Sequence, residues 1–279
     1  MDKISASKQA DFNAEKIRAR FKIHESTAPK AFVQLGTGWG DLLQLGGEQR
    51  LPLRELSGFE GMAELEGHER TLGYGTVGDV WVLAQRGRVH LNEGFHDPAV
   101  MEKVRLQIEQ VIELGVKTFI LTNAVGALAN RASKGSVVAV DGFVTVFAPE
   151  LPLFPGEFCS PEDVLDEDLI RLAQLGGPHA DHLAVLKGGY VMVRGPQFEG
   201  RKYDKAFLTS TGAHCVGMSL LPEAAVLSVH QKKHHLRALC LSYVTNDDKE
   251  EHSHEANQDQ AKKNAEGLRL LLEHVITKL

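Results

Sequence analysis

The chain has 279 residues, 43% of them hydrophobic and 24% charged, with a formal net charge of −6. That balance excludes a disordered chain, which would carry fewer apolar residues and a stronger net charge. It also excludes an overall basic field for nucleic acid, so an anionic ligand has to be held by local donors. Cys159, Cys215 and Cys240 are odd in number and form no C-x-x-C pair, so neither a disulfide framework nor a zinc site is expected. Residues 1–21 are rich in charge and lack an apolar core, and no apolar run approaches the length of a membrane span. The expectation is a cytoplasmic protein with no membrane partner.

In chain order, residues 1–30 read as a charged helical lead-in that breaks at Pro29. Residues 31–35 are a short buried strand running into Gly36-Thr37-Gly38-Trp39-Gly40, too rich in glycine for helix or strand. Residues 80–84 are a second strand. From 98 to 114, Val104, Ile108, Val111 and Ile112 recur at helical spacing. Gly115 ends that helix, and residues 117–122 form a third strand. Residues 137–146 are strand-like, 165–175 helical, and 184–193 a strand interrupted by Gly188-Gly189. The longest irregular stretch, 148–161, is a surface loop or lid. A helix over 202–209 and a short strand over 214–216 follow. Pro222 then sits in the first turn of a helix, where its missing N–H costs little. Residues 236–244 are a strand, and the last helix carries Ala261, Ala265, Leu268, Leu272, Val275 and Leu279 on one stripe. This alternation predicts an α/β fold: one domain over 1–279, with a central mixed, mostly parallel sheet flanked by helices on both faces.

Several strands end in small or polar residues: Gly36-Thr37-Gly38, Thr122-Asn123-Ala124, Gly217-Met218-Ser219 and Thr245-Asn246. Ligands of open α/β sheets bind at the carboxyl ends of strands, where backbone N–H groups, hydroxyls and helix N-termini favour anions. Each signal has a bland alternative, a tight turn at Gly36 or a helix cap at Ser219. The G-x-G-x-G turn falls short of the dinucleotide fingerprint, and no acidic partner follows it convincingly. Arg88 and His90, two apart at a strand end, point to the same side and suit a dianionic phosphate. A solvated strand end is the alternative. His252 and His254 in EEHSHE fit an exposed polar loop better than a metal site.

The segments LGTGWG (35–40), GHE (67–69), GRVHLNEGF (87–95), LTNAVGAL (121–128), YVMVRGPQFEG (190–200), VGMSLLPEAAVL (216–227), VTN (244–246) and EAN (255–257) occur in this order. In that combination the chain resembles the trimeric class of purine nucleoside phosphorylases. The resemblance implies a three-layer α/β/α phosphorylase fold. It also implies phosphorolysis of purine ribonucleosides in a homotrimer, with inorganic phosphate as co-substrate and neither metal nor cofactor. Thr37, His68, Arg88, His90, Ser219 and the backbone at Ala124 would surround phosphate. Phe198 and Val216 would flank the purine. Glu199 would accept from N1–H of a 6-oxopurine, and Asn246 would bond O6 and N7. The catalytic set would be His90, Glu199 and Asn246. Met218, Asn92, Gln258 and Phe158 would meet the ribose, Phe158 that of a neighbouring subunit. Asn92 stands where the family carries a tyrosine, and Gln258 where it carries a histidine. Asp248 opens an adenine-type alternative. Two other readings therefore stay beside preference for inosine and guanosine: a methylthioadenosine or adenosine phosphorylase, and a catalytically weak nucleoside-binding relative.

Overall fold

The computed structural model describes residues 3–62, 70–94, 96–195, 202–247 and 263–279. Its elements run α1 (Lys3–Phe21), β1 (Ala31–Leu35), β2 (Gly46–Pro52), β3 (Thr71–Val77), β4 (Val80–Arg86), α2 (Pro98–Glu113), β5 (Thr118–Ala127) and β6 (Val137–Val144). There follow α3 (Glu167–Gly176), β7 (Val185–Met192), α4 (Asp204–Ser210), β8 (Cys215–Gly217), α5 (Leu221–His234), β9 (Arg237–Asn246) and α6 (Ala265–Ile276). Among the described residues no helix is long and apolar enough to cross a membrane.

The strands form one mixed sheet in the order β2-β3-β4-β1-β5-β8-β7-β6-β9, and β9 pairs again with β5. That last pairing closes β5, β8, β7, β6 and β9 into a ring. Parallel pairs join β1 to β4 and β5, β5 to β9, and β7 to β6 and β8. Antiparallel pairs join β3 to β2 and β4, β5 to β8, and β6 to β9. Helices cover both faces. One apolar cluster takes Ile17 of α1, Ile108 and Val111 of α2 and Leu227 of α5; the other takes Ile170 of α3 and Leu268 and Leu272 of α6. The expected α/β architecture is therefore the observed one.

The structure corrects local expectations. β2 and β3 lie in polar or glycine-bearing sequence, GGEQRLP and TLGYGTV, and had no strand signal strong enough to register. β5 does not end at Thr122: it runs through Asn123 and Ala124 to Ala127, with a register shift at Val125/Gly126. Gly188 and Gly189 do not interrupt their strand, because β7 is continuous from Val185 to Met192. Their role is spatial. A Cβ on Gly188 would sit 2.3 Å from Cγ of the His214 ring, and the Gly189 N–H donates to Nδ1 of that ring (3.3 Å).

The ring leaves no room for a methyl at Gly188, and the clashing atom lies at the root of the side chain, where rotation gives little relief. Gly188→Ala is expected to lose about 1–3 kcal/mol of stability. Urea unfolding should show a lower midpoint at unchanged slope; an unchanged midpoint contradicts the packing described.

Candidate active site

The candidate site is built along β5. At Thr122 the strand meets the turn after β1 and the segment after β4. The Gly36 N–H donates to Thr122 Oγ1 (3.1 Å), and that hydroxyl donates to the Gln34 carbonyl (2.9 Å). Trp39, fully buried, donates its indole N–H to the Asn123 carbonyl (3.0 Å). A Cβ on Gly36 would lie 2.5 Å from the Thr122 carbonyl oxygen and 3.1 Å from Nη2 of Arg88. Glycine is needed here for close approach, the backbone-level reason for the LGTG turn. Thr37 sits half-buried in that turn.

Arg88 is not placed as the sequence suggests. β4 ends at Arg86, Gly87 turns with φ +73°, and Arg88 and His90 lie in irregular chain beyond it. Arg88 is buried, with 1% of its surface exposed. Nη1 donates to Glu223 Oε1 at 3.0 Å and Nη2 to the Thr122 carbonyl. Arg88 Nε and Glu223 Oε2 are buried with no partner among the described residues. His90 is half-exposed and opens a 3-10 turn at Leu91–Glu93: its carbonyl accepts the Glu93 N–H at 3.2 Å, and Glu93 Oε1 accepts the His90 N–H at 2.7 Å. Strand alternation therefore does not govern the Arg-His pair, because long-range ion pairing and a local cap set their directions instead.

One residue further along, Asn123 reaches the other wall. Its Nδ2 donates to Ser219 Oγ (3.3 Å) and to Tyr190 Oη (3.2 Å), and its Oδ1 accepts from Ser242 Oγ (2.8 Å). Tyr190, fully buried on β7, donates to the Ser219 carbonyl (2.7 Å) and accepts the Ser219 N–H (3.2 Å). Burial pushes the Tyr190 phenol well above its usual range, so it stays a protonated donor at neutral pH. Ser219 is thus held on both backbone groups. The next residue, Leu220, takes φ +70° and ψ −51°, and the Leu221 N–H donates back to the Ser219 carbonyl at 2.9 Å. This is the rare γ-turn, a conformation that costs on the order of 1–3 kcal/mol and persists where its surroundings over-determine it. It aims the start of α5, with its positive dipole end, at the space beside Ser219.

Gly126 marks the far end of the site. A Cβ there would lie 3.1 Å from Asn246 Nδ2 and 3.6 Å from Val216 Cγ1. Asn246 closes β9, and its Oδ1 accepts from Thr245 Oγ1 (3.0 Å). Met218 packs half-buried beside Val216 and Val191. Thr122 and Gly126 are four strand residues apart, about 13 Å at ~3.3 Å per residue. The site therefore has an anion-suited end and an apolar, amide-bearing end on one strand.

The structure brings Arg88 and Ser219 to the first end and Val216 and Asn246 to the second, with Ala124 on β5 midway between them. Asn92 is exposed, and Phe158 stands 97% exposed. The loop that carries Phe158 is pinned at its base. Arg105 grips Glu157 bidentately (2.7 and 3.1 Å), donates to the Pro152 carbonyl (3.3 Å) and lies over the Phe154 ring at 4.1 Å. His68, Phe198, Glu199, Gln258 and Asp248 lie outside the described residues, as do His252 and His254. Sequence reasoning missed Glu223 and Tyr190 and gave Asn123 no role beyond its place in a polar strand end. The signal for Glu223 was a lone acid in the otherwise apolar start of α5; for Tyr190 there was none.

The family model described as the phosphorylase superfamily matches residues 32–277. Purine nucleoside phosphorylase 1 of Bacillus subtilis is 29% identical over 235 residues, 82% of this chain and 84% of that protein. The purine nucleoside phosphorylase of Mus musculus is 28% identical over 238 residues, 80% and 78% of the two chains. In fold, the chain is similar to isoform 2 of purine nucleoside phosphorylase from Schistosoma mansoni. That structure superposes with a TM-score of 0.82 at 23% identity, covering 98% of this chain and 96% of that one. The family match, over residues 32–277, takes in Arg88, Asn123, Ser219 and Asn246, and the chain belongs to the phosphorylase superfamily.

Proposed function

We propose that this enzyme cleaves purine ribonucleosides with inorganic phosphate, giving free base and ribose 1-phosphate. The observation that carries the reading is the pairing of the two ends of β5. Arg88, Ser219 and the start of α5 suit an oxyanion, and Val216 and Asn246 suit a base. The relatives named purine nucleoside phosphorylase in Bacillus subtilis and Mus musculus support it.

Phosphate bound beside Arg88, Ser219, Thr37, His68, His90 and the Ala124 backbone would face C1′ of the ribose. As the C1′–N9 bond breaks, its electron pair leaves with the purine, and positive charge grows on the ribose. The adjacent phosphate stabilises that charge, and one of its oxygens then forms the new bond to C1′. Asn246 Nδ2, kept as the donor end of its amide by the Thr245 hydroxyl, would donate to N7 of the departing base and stabilise its negative charge. Holding both partners in line removes much of the entropic barrier. Glu199 would take N1–H, Phe198 would stack, and Met218, Asn92 and Gln258 would meet the ribose. In this reading the enzyme needs no metal or cofactor. Its three cysteines form no disulfide, which fits the cytoplasm.

Arg88→Ala tests the anion end. It should slow phosphorolysis by about 2–4 kcal/mol of transition-state stabilisation and raise the phosphate KM. It should also lower stability, because Glu223 is left as an unpaired buried charge, an effect of about 3–5 kcal/mol. Adding Glu223→Gln should restore much of the stability and none of the turnover. Unchanged phosphate kinetics in Arg88→Ala overturn the assignment.

The assembly is proposed to be a homotrimer in which exposed Phe158, on its pinned loop, completes a neighbour's ribose site. Sedimentation velocity at micromolar concentration should give a trimer, and Phe158→Ala should raise the nucleoside KM. A fully active monomer rules this out.

Base preference follows from Glu199. As a carboxylate it accepts from N1–H of hypoxanthine or guanine and faces the lone pair on adenine N1. Inosine and guanosine should therefore exceed adenosine in kcat/KM by roughly tenfold, and Glu199→Gln should narrow the gap. If adenosine or methylthioadenosine leads in the parent enzyme, the 6-oxopurine preference is wrong and Asp248 is the residue to vary.

A further inference from the structure

Gln34, Gln85 and Gln107 are each fully buried. Gln34 on β1 and Gln85 on β4 stand opposite one another in the parallel register, and Gln107 faces them from α2. Gln107 Oε1 accepts three N–H groups: Gln34 Nε2 (3.3 Å), Gln85 Nε2 (3.0 Å) and the Val89 backbone (3.1 Å). Its Nε2 donates to the Val89 carbonyl (3.2 Å). Gln85 Nε2 also donates to the Gly87 carbonyl (3.0 Å). Three amides in an apolar layer are costly. The Oε1 atoms of Gln34 and Gln85 are buried with no partner among the described residues, a penalty that aliphatic side chains would avoid.

The cost has a counterpart in what the amides hold. β4 ends at Arg86; Gly87 still donates its N–H to the Leu35 carbonyl of β1 (3.1 Å), but Val89 makes no backbone–backbone hydrogen bond among the described residues. Val89 is 2% exposed, and its backbone N–H and C=O would be stranded there. Gln107 meets both groups, as the edge of an adjacent strand would. The Val89 N–H belongs to the peptide that joins it to Arg88 and its C=O to the peptide that joins it to His90, so fixing both fixes the starting direction of both side chains. A displacement of about 1 Å in such groups is enough to cost ~100-fold in rate.

We infer that Gln107 is a positioning residue for the anion end of the site: through Val89 it sets the place of Arg88 and His90, with Gln85 as its second clasp on Gly87. The inference rests on the phosphate reading of Arg88 and His90. Gln107 touches no substrate, and its effect is specific to one of the two. Its loss weakens phosphate handling and spares the nucleoside, which binds at the other end of β5.

The test compares Gln107→Met with Gln34→Met. Methionine keeps the shape and removes the hydrogen bonds. Gln34 shares the Gln107 bond but its side chain makes no hydrogen bond to residues 87–90 among the described residues, so its variant reports the general cost of breaking the cluster. In Gln107→Met the phosphate KM should rise about tenfold or more, with the nucleoside KM within about twofold of the parent. Gln34→Met should leave both within about twofold, on the same scale. Hydrogen exchange in the intact enzyme gives a readout independent of activity: the Val89 amide and its neighbours at 87–92 should exchange faster in Gln107→Met alone. If Gln107→Met fails to fold, Gln85→Met is read in the same way, with a smaller rise in phosphate KM expected. Equal effects on the two KM values, equal effects of the Gln107 and Gln34 variants, or unchanged exchange at Val89 overturn the inference. Should Arg88→Ala also leave phosphate kinetics untouched, the phosphate reading is at fault. If Arg88→Ala responds and Gln107→Met does not, the positioning role is at fault.

Discussion

The buried ion pair of Arg88 with Glu223 ties together the parts of the site that arrive from four places in the chain. Its guanidinium rests on the Thr122 carbonyl of β5 and against the Gly36 turn after β1, and its carboxylate partner opens α5. Two charges almost without exposure are expensive to desolvate, and such a pair is weak evidence for stability. It does fix geometry, because neither charge can leave the other without a large penalty. Glu223 also lies in the first turn of α5, where a bare carboxylate would oppose an anion at the helix start. Neutralisation by Arg88 removes that repulsion and leaves the start of the helix receptive.

Around this pair, polar groups replace what regular structure would supply. Gln107 stands in for a strand edge at Val89. Tyr190 holds both backbone groups of Ser219 and lets the chain pass through the γ-turn at Leu220 into α5. The cost falls on their neighbours: Gln34 and Gln85 each keep a buried amide oxygen without a partner among the described residues, and Leu220 takes the strained turn. That distribution belongs to a site whose geometry is kept at some expense in stability. The loop of Phe158 follows the same plan, with Arg105 gripping its base while the aromatic ring stays exposed.

The sequence by itself determined the elements with strong local signals. The 3.6-residue spacing of Val104, Ile108 and Val111 placed α2, the apolar run at Ala31–Leu35 placed β1, and Pro222 placed the start of α5. The ordered motifs carried the family, because LGTGWG, GRVH and VGMSLLPE record needs that are local: a glycine for close approach, a turn, a helix start. Only the tertiary structure decided which of these segments meet and how. Arg88 and Glu223 are 135 positions apart, and Gln107 lies 18 from Val89 across a helix. Strand alternation along 86–90 held no trace of either contact. The length of β5 was likewise hidden, since Asn123, Ala124 and Gly126 have little intrinsic strand preference and are kept extended by pairing with β9, which β8 joins from Gly126 on. Hydrophobic periodicity reports which face of an element is buried, not which polar group waits on the other side of the core, and in this protein the polar groups inside the core set the site.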